Sequence, residues 1–239
     1  MTEWVHRETL PELTGEFSRR LRQEAAQGGE VLSLALTGGS SAAIFYDGLA
    51  QAGVPGSLQF YWSDERMVPR DDPDSNFKLA DDHLLRPAGI DAARLHPAPT
   101  LLDPSACAAA YAQEIRQRVG RTGEKVPQFG IVILGLGADG HTGSLFPGRD
   151  PYADDDLLVR SVHGTQMHTH ARVTFTPTLI NRARQVWFVI TGANKAWAVE
   201  QLAERKATVQ HVPALVVDPE KTQVVIFADA SATGGRIYD

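Results

Sequence analysis

A chain of 239 residues, 43% hydrophobic and 22% charged, has the length and apolar content for one large core and reads as a single domain, 1–239. Its net charge is −6 and its pI about 5.7, with acids and bases mixed along the chain, which excludes a general basic field and argues against nucleic acid as a partner. Cys107 is the only cysteine, so neither an intramolecular disulfide nor a thiolate metal cluster is possible, and no apolar run reaches the roughly 20 residues needed to span a bilayer. "MTEWVHRETLPEL" lacks the basic-then-apolar pattern of a signal peptide, so the expected setting is a reducing cytoplasm with no membrane contact.

The apolar pattern then alternates between helical and strand-like periods. Leu10, Leu13, Phe17 and Leu21 recur at spacings of three and four, an amphipathic helix ended by Gly28-Gly29. "VLSLALT" reads as a strand, and Ile44, Phe45 and Leu49 put a helix after the glycines that follow it. "SLQFYWSD" is a second strand, succeeded by a polar loop and a helix near Asn76 to Leu85. "PSACAAAYAQEIRQRV" is an alanine-rich helix in which Cys107 is a small core residue, and "FGIVILGLG" holds the most continuous apolar strand.

Beyond it, "DLLVRSV" and "ARVTFT" read as strands, "TPTLINRAR" as a short helix, "QVWFVITG" as a strand, "NKAWAVEQLAERKA" as a helix and "TQVVIFAD" as a last strand. Continuous apolar strands alternating with helices imply parallel pairing. The expected architecture is one doubly wound, mostly parallel Rossmann-like α/β sheet flanked by helices. In such sheets ligands bind beyond the carboxyl ends of the strands, near the switch in strand order. That rule gathers "TGGSS", "SDER", "GADGHTGS" and "TGANKA" around one pocket.

Each of these segments has its own chemistry. In "LTGGSSA", Gly38 and Gly39 allow close backbone approach, while Ser40 and Ser41 either cap the following helix or join its N–H groups in holding a phosphate. "GGSSA" also approaches the G-x-S-x-G nucleophile elbow, but Ala42 replaces the last glycine and only His211 is placed to complete a triad. Gly135, Gly137 and Gly140 match G-x-G-x-x-G, yet "SLFPGRDPYADDD" offers neither the long helix nor the following acidic strand of a dinucleotide site.

His141 is better read as a general base, with Asp139 fixing its tautomer and stabilising the imidazolium. Asp64, Glu65 and Arg66 lie just beyond a strand, where charged residues either form a solvated loop or orient an oxygen-rich substrate. Arg172 and Lys195 are further cations at strand ends. His163, His168 and His170 match no zinc spacing.

Together "LTGGSSA", "FYWSDERMVPRDDPDSNFKLA", "FGIVILGLGADGHTGSLFPG", "ARVTFTPTLINRARQVWFVITGANKA" and "VPALVV" resemble the 6-phosphogluconolactonase family, over about Leu34 to Phe227. Asp139 to Pro147 is the most distinctive stretch. The resemblance implies the fold shared with glucosamine-6-phosphate deaminases and hydrolysis of 6-phospho-D-glucono-1,5-lactone to 6-phospho-D-gluconate, in the oxidative pentose phosphate pathway. It makes His141 the base that activates water, assisted by Asp139, and puts Arg66 and Asp64 near the sugar ring and reacting carbonyl. Gly38, Gly39, Ser40, Ser41, Arg172 and Lys195 are expected at the phosphate.

It implies no metal or organic cofactor, a small sugar-phosphate lactone as partner, and a monomer or weak homo-oligomer. Ala42 and Gly143 depart from the family pattern without touching an expected charge. A deaminase would carry a glutamate shortly after the histidine, whereas no carboxylate lies between His141 and Asp150, and Arg66 replaces its tyrosine. A silent sugar-phosphate binder would be expected to lack His141 or Asp139, and both are present.

Overall fold

The computed structural model describes residues 2–27, 31–121, 123–149, 156–164 and 169–238. The expected stop at Gly28-Gly29 and the side chain of His168 lie outside them.

The central sheet has six strands in the order β1-β9-β8-β5-β2-β3, all parallel. They are β1 (Thr2–Val5), β2 (Leu32–Leu36), β3 (Leu58–Trp62), β5 (Ile131–Leu134), β8 (Gln185–Ile190) and β9 (Gln223–Ala228). β2 pairs with β3 on one side and β5 on the other, so the strand order reverses between β2 and β5. The crevice at that reversal is where a doubly wound sheet receives a ligand.

β5 shows why the strands read as continuous apolar runs. Ile131 and Ile133 pack into the core on one face of the sheet, and Val132 and Leu134 into the core on the other. The first core joins α1 (Leu10–Gln27) and α2 (Ser40–Ala52) to the sheet through Phe17, Phe45, Trp187 and Phe227. The second holds α4 (Pro104–Arg118), α5 (Pro177–Arg182) and α6 (Ala196–Glu204), with Tyr111, Phe129 and Phe188 among its members.

The helix starts follow the sequence. Thr9 and Glu12 form a capping box on α1, Asp103 caps α4 ahead of Pro104, and Thr176 caps α5 ahead of Pro177. The helix expected over Asn76 to Leu85 is α3 (Asn76–Ala80), running on as a π turn, Asp81–Leu85. Buried Cys107 is a core residue as expected, and burial pushes its thiol up to about 11, far from a thiolate at neutral pH.

Two features differ from the sequence reading. "TEWV" is a strand, β1, at the sheet edge beside β9. The second is a separate antiparallel sheet, ordered β4-β7-β6, made of β4 (Asp64–Arg66), β6 (Val159–Val162) and β7 (Arg172–Phe175). "DLLVRSV" and "ARVTFT" are indeed strands, but they pair antiparallel, and the charged "DER" pairs with them. Ser63 makes the transition. Its N–H and Oγ donate to the Leu36 carbonyl (2.7 and 2.9 Å), and its own carbonyl accepts from the Phe175 N–H (2.7 Å). The chain thus leaves the parallel sheet and enters the other within one buried residue.

Candidate active site

Four segments converge beyond the carboxyl ends of β2, β3, β5 and β8. The cleft between them is lined by the Gly38–Ser41 turn, Asp64, Arg66, Asn76, Gly135 to Gly137, His141, Gly143, Arg172 and Lys195. Nine of the ten residues singled out from the sequence therefore line one cleft, and the tenth, Asp139, sits behind His141.

The turn after β2 is closed by Tyr46 of α2, whose hydroxyl accepts from the Thr37 N–H (2.9 Å) and donates to the Thr37 carbonyl (2.8 Å). Gly39 caps α2 at φ +97°, a conformation that favours glycine, and no side chain caps this helix. The N-terminal N–H groups of α2 thus border the cleft, with the positive end of the helix dipole. Ser41 differs from its neighbour Ser40. Its Oγ accepts from the Thr191 N–H (3.0 Å) and lies 2.9 Å from Thr191 Oγ1, so it ties the turn to the end of β8.

Asp64 is buried, and its Oδ2 accepts from Ser144 Oγ at 2.8 Å. Asn76 Nδ2 donates to its carbonyl at 2.8 Å and its Oδ1 at 3.3 Å, while Arg172 Nη1 lies 3.9 Å from Oδ2. Arg66 pairs directly opposite Arg172 across β4 and β7. Nη1 of Arg66 is held by the Asp74 carbonyl at 2.5 Å, but the Nε atoms of both arginines are buried without a hydrogen-bond partner. Burial pushes the Arg172 guanidinium below its usual range, Asp64 pulls it back, and Arg66 pushes it further down. Two facing cations at a cleft wall are a ready site for an anion.

His141 is oriented by Asp139. Nδ1 lies 2.6 Å from Oδ1 of Asp139, which also accepts the His141 N–H at 3.2 Å. Burial works to raise the Asp139 carboxyl, but the hydrogen bonds and charge of His141 overcome it and hold it down at about 2. An ionised Asp139 accepts from Nδ1–H, which assigns the proton to Nδ1 and leaves Nε2 as the basic nitrogen.

The glycines make this pairing possible. A Cβ on Gly137 would lie 2.1 Å from His141 Nδ1 and 2.5 Å from Asp139 Oδ1, and Gly140 turns the loop at φ +84°. The Phe146 ring packs on the imidazole, centroids 5.2 Å apart, and the Arg172 guanidinium lies over it at 5.5 Å. Lys195 reaches the same cleft from the short turn after Gly192; burial lowers its ammonium and the Asp139 charge raises it.

Sequence reasoning missed Asn76, Ser144 and Phe146. The last two sit inside the distinctive 139–147 stretch, which was a signal for them. Asn76 had only the Ser75 helix start ahead of it. Of the remaining histidines, His170 bonds Asp74 through Nε2 at 2.9 Å.

The glucosamine-6-phosphate isomerase/6-phosphogluconolactonase family model matches residues 6–226. A 6-phosphogluconolactonase of Synechocystis is 36% identical over 190 residues, 79% of this chain and 78% of that protein. One from Nostoc is 32% identical over 234 residues, 94% of this chain and 95% of that protein. The solved 6-phosphogluconolactonase of Trypanosoma brucei superposes with a TM-score of 0.82 at 28% identity, covering 99% of each chain.

Proposed function

The chain belongs to the glucosamine-6-phosphate isomerase/6-phosphogluconolactonase family and is a lactone hydrolase within it, and on that premise we propose that His141 activates the water that opens 6-phospho-D-glucono-1,5-lactone. The observation that carries this reading is the Asp139–His141 pair, 2.6 Å apart, in the same cleft as the opposed Arg66 and Arg172.

The lactone is a reactive ester, so a base, a placed water and stabilisation of the oxyanion suffice. Nε2 of His141 takes a proton from water as its oxygen bonds the lactone carbonyl carbon. Asp139 holds the ring and stabilises the imidazolium, a base contribution of roughly 10²–10⁴-fold. The developing oxyanion is stabilised by the positive charge on the Arg66 side of the cleft. Collapse of the tetrahedral adduct breaks the bond from carbonyl carbon to ring oxygen, and the imidazolium returns its proton to that oxygen. The carboxylic acid product then ionises, releasing one proton to solution.

The phosphate is held by Arg172 and Lys195, with Gly38, Gly39 and Ser40 presenting the N-terminus of α2. Ser41 lines the cleft as well and ties this turn to Thr191. No carboxylate follows His141 before Asp150, which favours hydrolysis over the isomerase-deaminase chemistry of the same family. Residues 1–239 act as one catalytic domain in this reading.

The test is proton release from freshly prepared 6-phosphogluconolactone, with the spontaneous rate subtracted and unphosphorylated gluconolactone run alongside. The wild type should accelerate the phosphorylated lactone far more than the other. His141→Ala should lose turnover while still binding 6-phosphogluconate. Full activity in that variant would remove His141 from the role.

A further inference from the structure

Asn76 opens α3 and is 1% exposed, between Asp64 and the Gly38 turn. Its Nδ2 donates to two oxygens of Asp64, one carbonyl and one carboxylate. Both are pure acceptors, so the amide nitrogen must face them and the orientation of the carboxamide is settled by chemistry. Oδ1 then points away from Asp64, buried and without a hydrogen-bond partner.

What Oδ1 faces is Gly38. A Cβ on Gly38 would lie 1.9 Å from Oδ1 and 2.5 Å from Cγ of Asn76. Gly38 is not among the glycines with positive φ, so its backbone conformation does not demand glycine. Clearance from the Asn76 amide does.

We infer that Asn76 is a positioning residue for the hydrolysis, an internal spacer between the two ends of the substrate site. Its donor side fixes Asp64, whose other carboxylate oxygen is held by Ser144. Its acceptor side sets how closely the Gly38 turn, and with it the open end of α2, approaches the cleft. A purely structural residue here would be apolar, since a leucine fills similar space without burying an unmet acceptor. What only the amide supplies is the donor to Asp64.

This inference rests on the lactone hydrolysis proposed above, and a double-mutant cycle between Gly38 and Asn76 tests it separately. Turnover and calorimetric binding of 6-phosphogluconate are measured for N76A, N76D, G38A and G38A/N76A. N76A and N76D should lower kcat by about 10-fold or more with a smaller loss of product binding, because Asp64 loses its donor while the Thr37–Ser41 turn keeps its bonds to Tyr46 and Thr191. G38A should weaken product binding by about 10-fold, and N76A in the same chain should restore it by removing the two obstructing atoms.

Should G38A alone fail to fold, recovery of a folded, product-binding double variant gives the same answer. Unchanged kcat in N76A, or a double variant as weak as the product of the single effects, overturns the inference. Binding and thermal midpoint are read without turnover. Activity surviving in His141→Ala would therefore overturn the base assignment while leaving the coupling between positions 38 and 76 to stand or fall by itself.

Discussion

Arg66 and Arg172 face each other across two antiparallel strands, and both border the same cleft. Like charges in that register repel, and each side chain has a buried Nε with no acceptor. A phosphate bound at Arg172, as proposed, would relieve that repulsion, so inorganic phosphate and 6-phosphogluconate should both raise the thermal midpoint of the wild type. R172A should abolish that rise and increase KM for the phosphorylated lactone by about 10-fold or more, with kcat less affected. R172K should not rescue KM, since an ammonium lacks the planar fork and the stacking on Phe146. A ligand-induced shift of wild-type size in R172A would remove Arg172 from the anion site.

Asp139 governs a second outcome. Its carboxyl is held at about 2, below the ordinary value of 3.8, so the pair with His141 persists across the neutral range. A depressed carboxyl contributes stability above its unfolded pKa, and that contribution is lost as pH falls from about 4 through about 2. D139N should leave the protein folded at neutral pH and lower kcat by about 10²-fold or more, because Nδ1 loses its acceptor and the tautomer is no longer fixed. The acid limb of the unfolding curve should flatten below pH 4 in the same variant. Thermal melts from pH 2 to 7, beside kcat at pH 7, check both parts.

Glu65 should show the opposite sign. It is buried next to the site and accepts from the N–H groups of Asn76, Phe77 and Arg66 at 2.7, 2.7 and 2.8 Å. Burial raises its carboxyl, those three donors pull it down, the charge of Asp64 adds to the rise, and the net position is about 7. A carboxyl raised above its ordinary 4.5 binds its proton more tightly in the folded state. Its contribution is complete below about pH 4.5 and is lost as pH rises through about 7. The wild-type midpoint should therefore carry a downward component between pH 5 and pH 7.5 that E65Q lacks. Parallel slopes for the two proteins would show that Glu65 does not titrate in that window.

The parallel sheet was legible because its long strands are buried on both faces and are separated along the chain by helices with an apolar stripe. β4 was not, since three consecutive charges read as a solvated loop when nothing in the sequence reveals that Asp64 pairs with Thr174 and Arg66 with Arg172. β1 is a four-residue edge strand whose partner lies more than 200 residues away. Within the site, His141 and Asp139 declared themselves through local spacing. Ser41 is bonded to Thr191 and Asn76 lies against Gly38, contacts that only the fold creates.

Phe146 carries the last prediction. It is buried, with the His141 imidazole against its ring at 55° and the Arg172 guanidinium over its face. One side chain therefore touches both the proposed base and a cation of the proposed phosphate site, and the effect of losing its ring should divide between them. F146L keeps an apolar side chain in the core, so the stability loss should be modest, about 1–2 kcal/mol. The cation–π contact is worth about 0.5–2 kcal/mol, which predicts a KM for the phosphorylated lactone raised by roughly 2- to 30-fold. Looser support of the imidazole should lower kcat as well, and the two losses should appear together in F146L but separately in R172A and D139N. Introducing F146L into R172A should then leave KM unchanged while still lowering kcat, because the cation that the ring supports is already gone. A further rise in KM in the double variant would show that Phe146 acts on the phosphate end by another route.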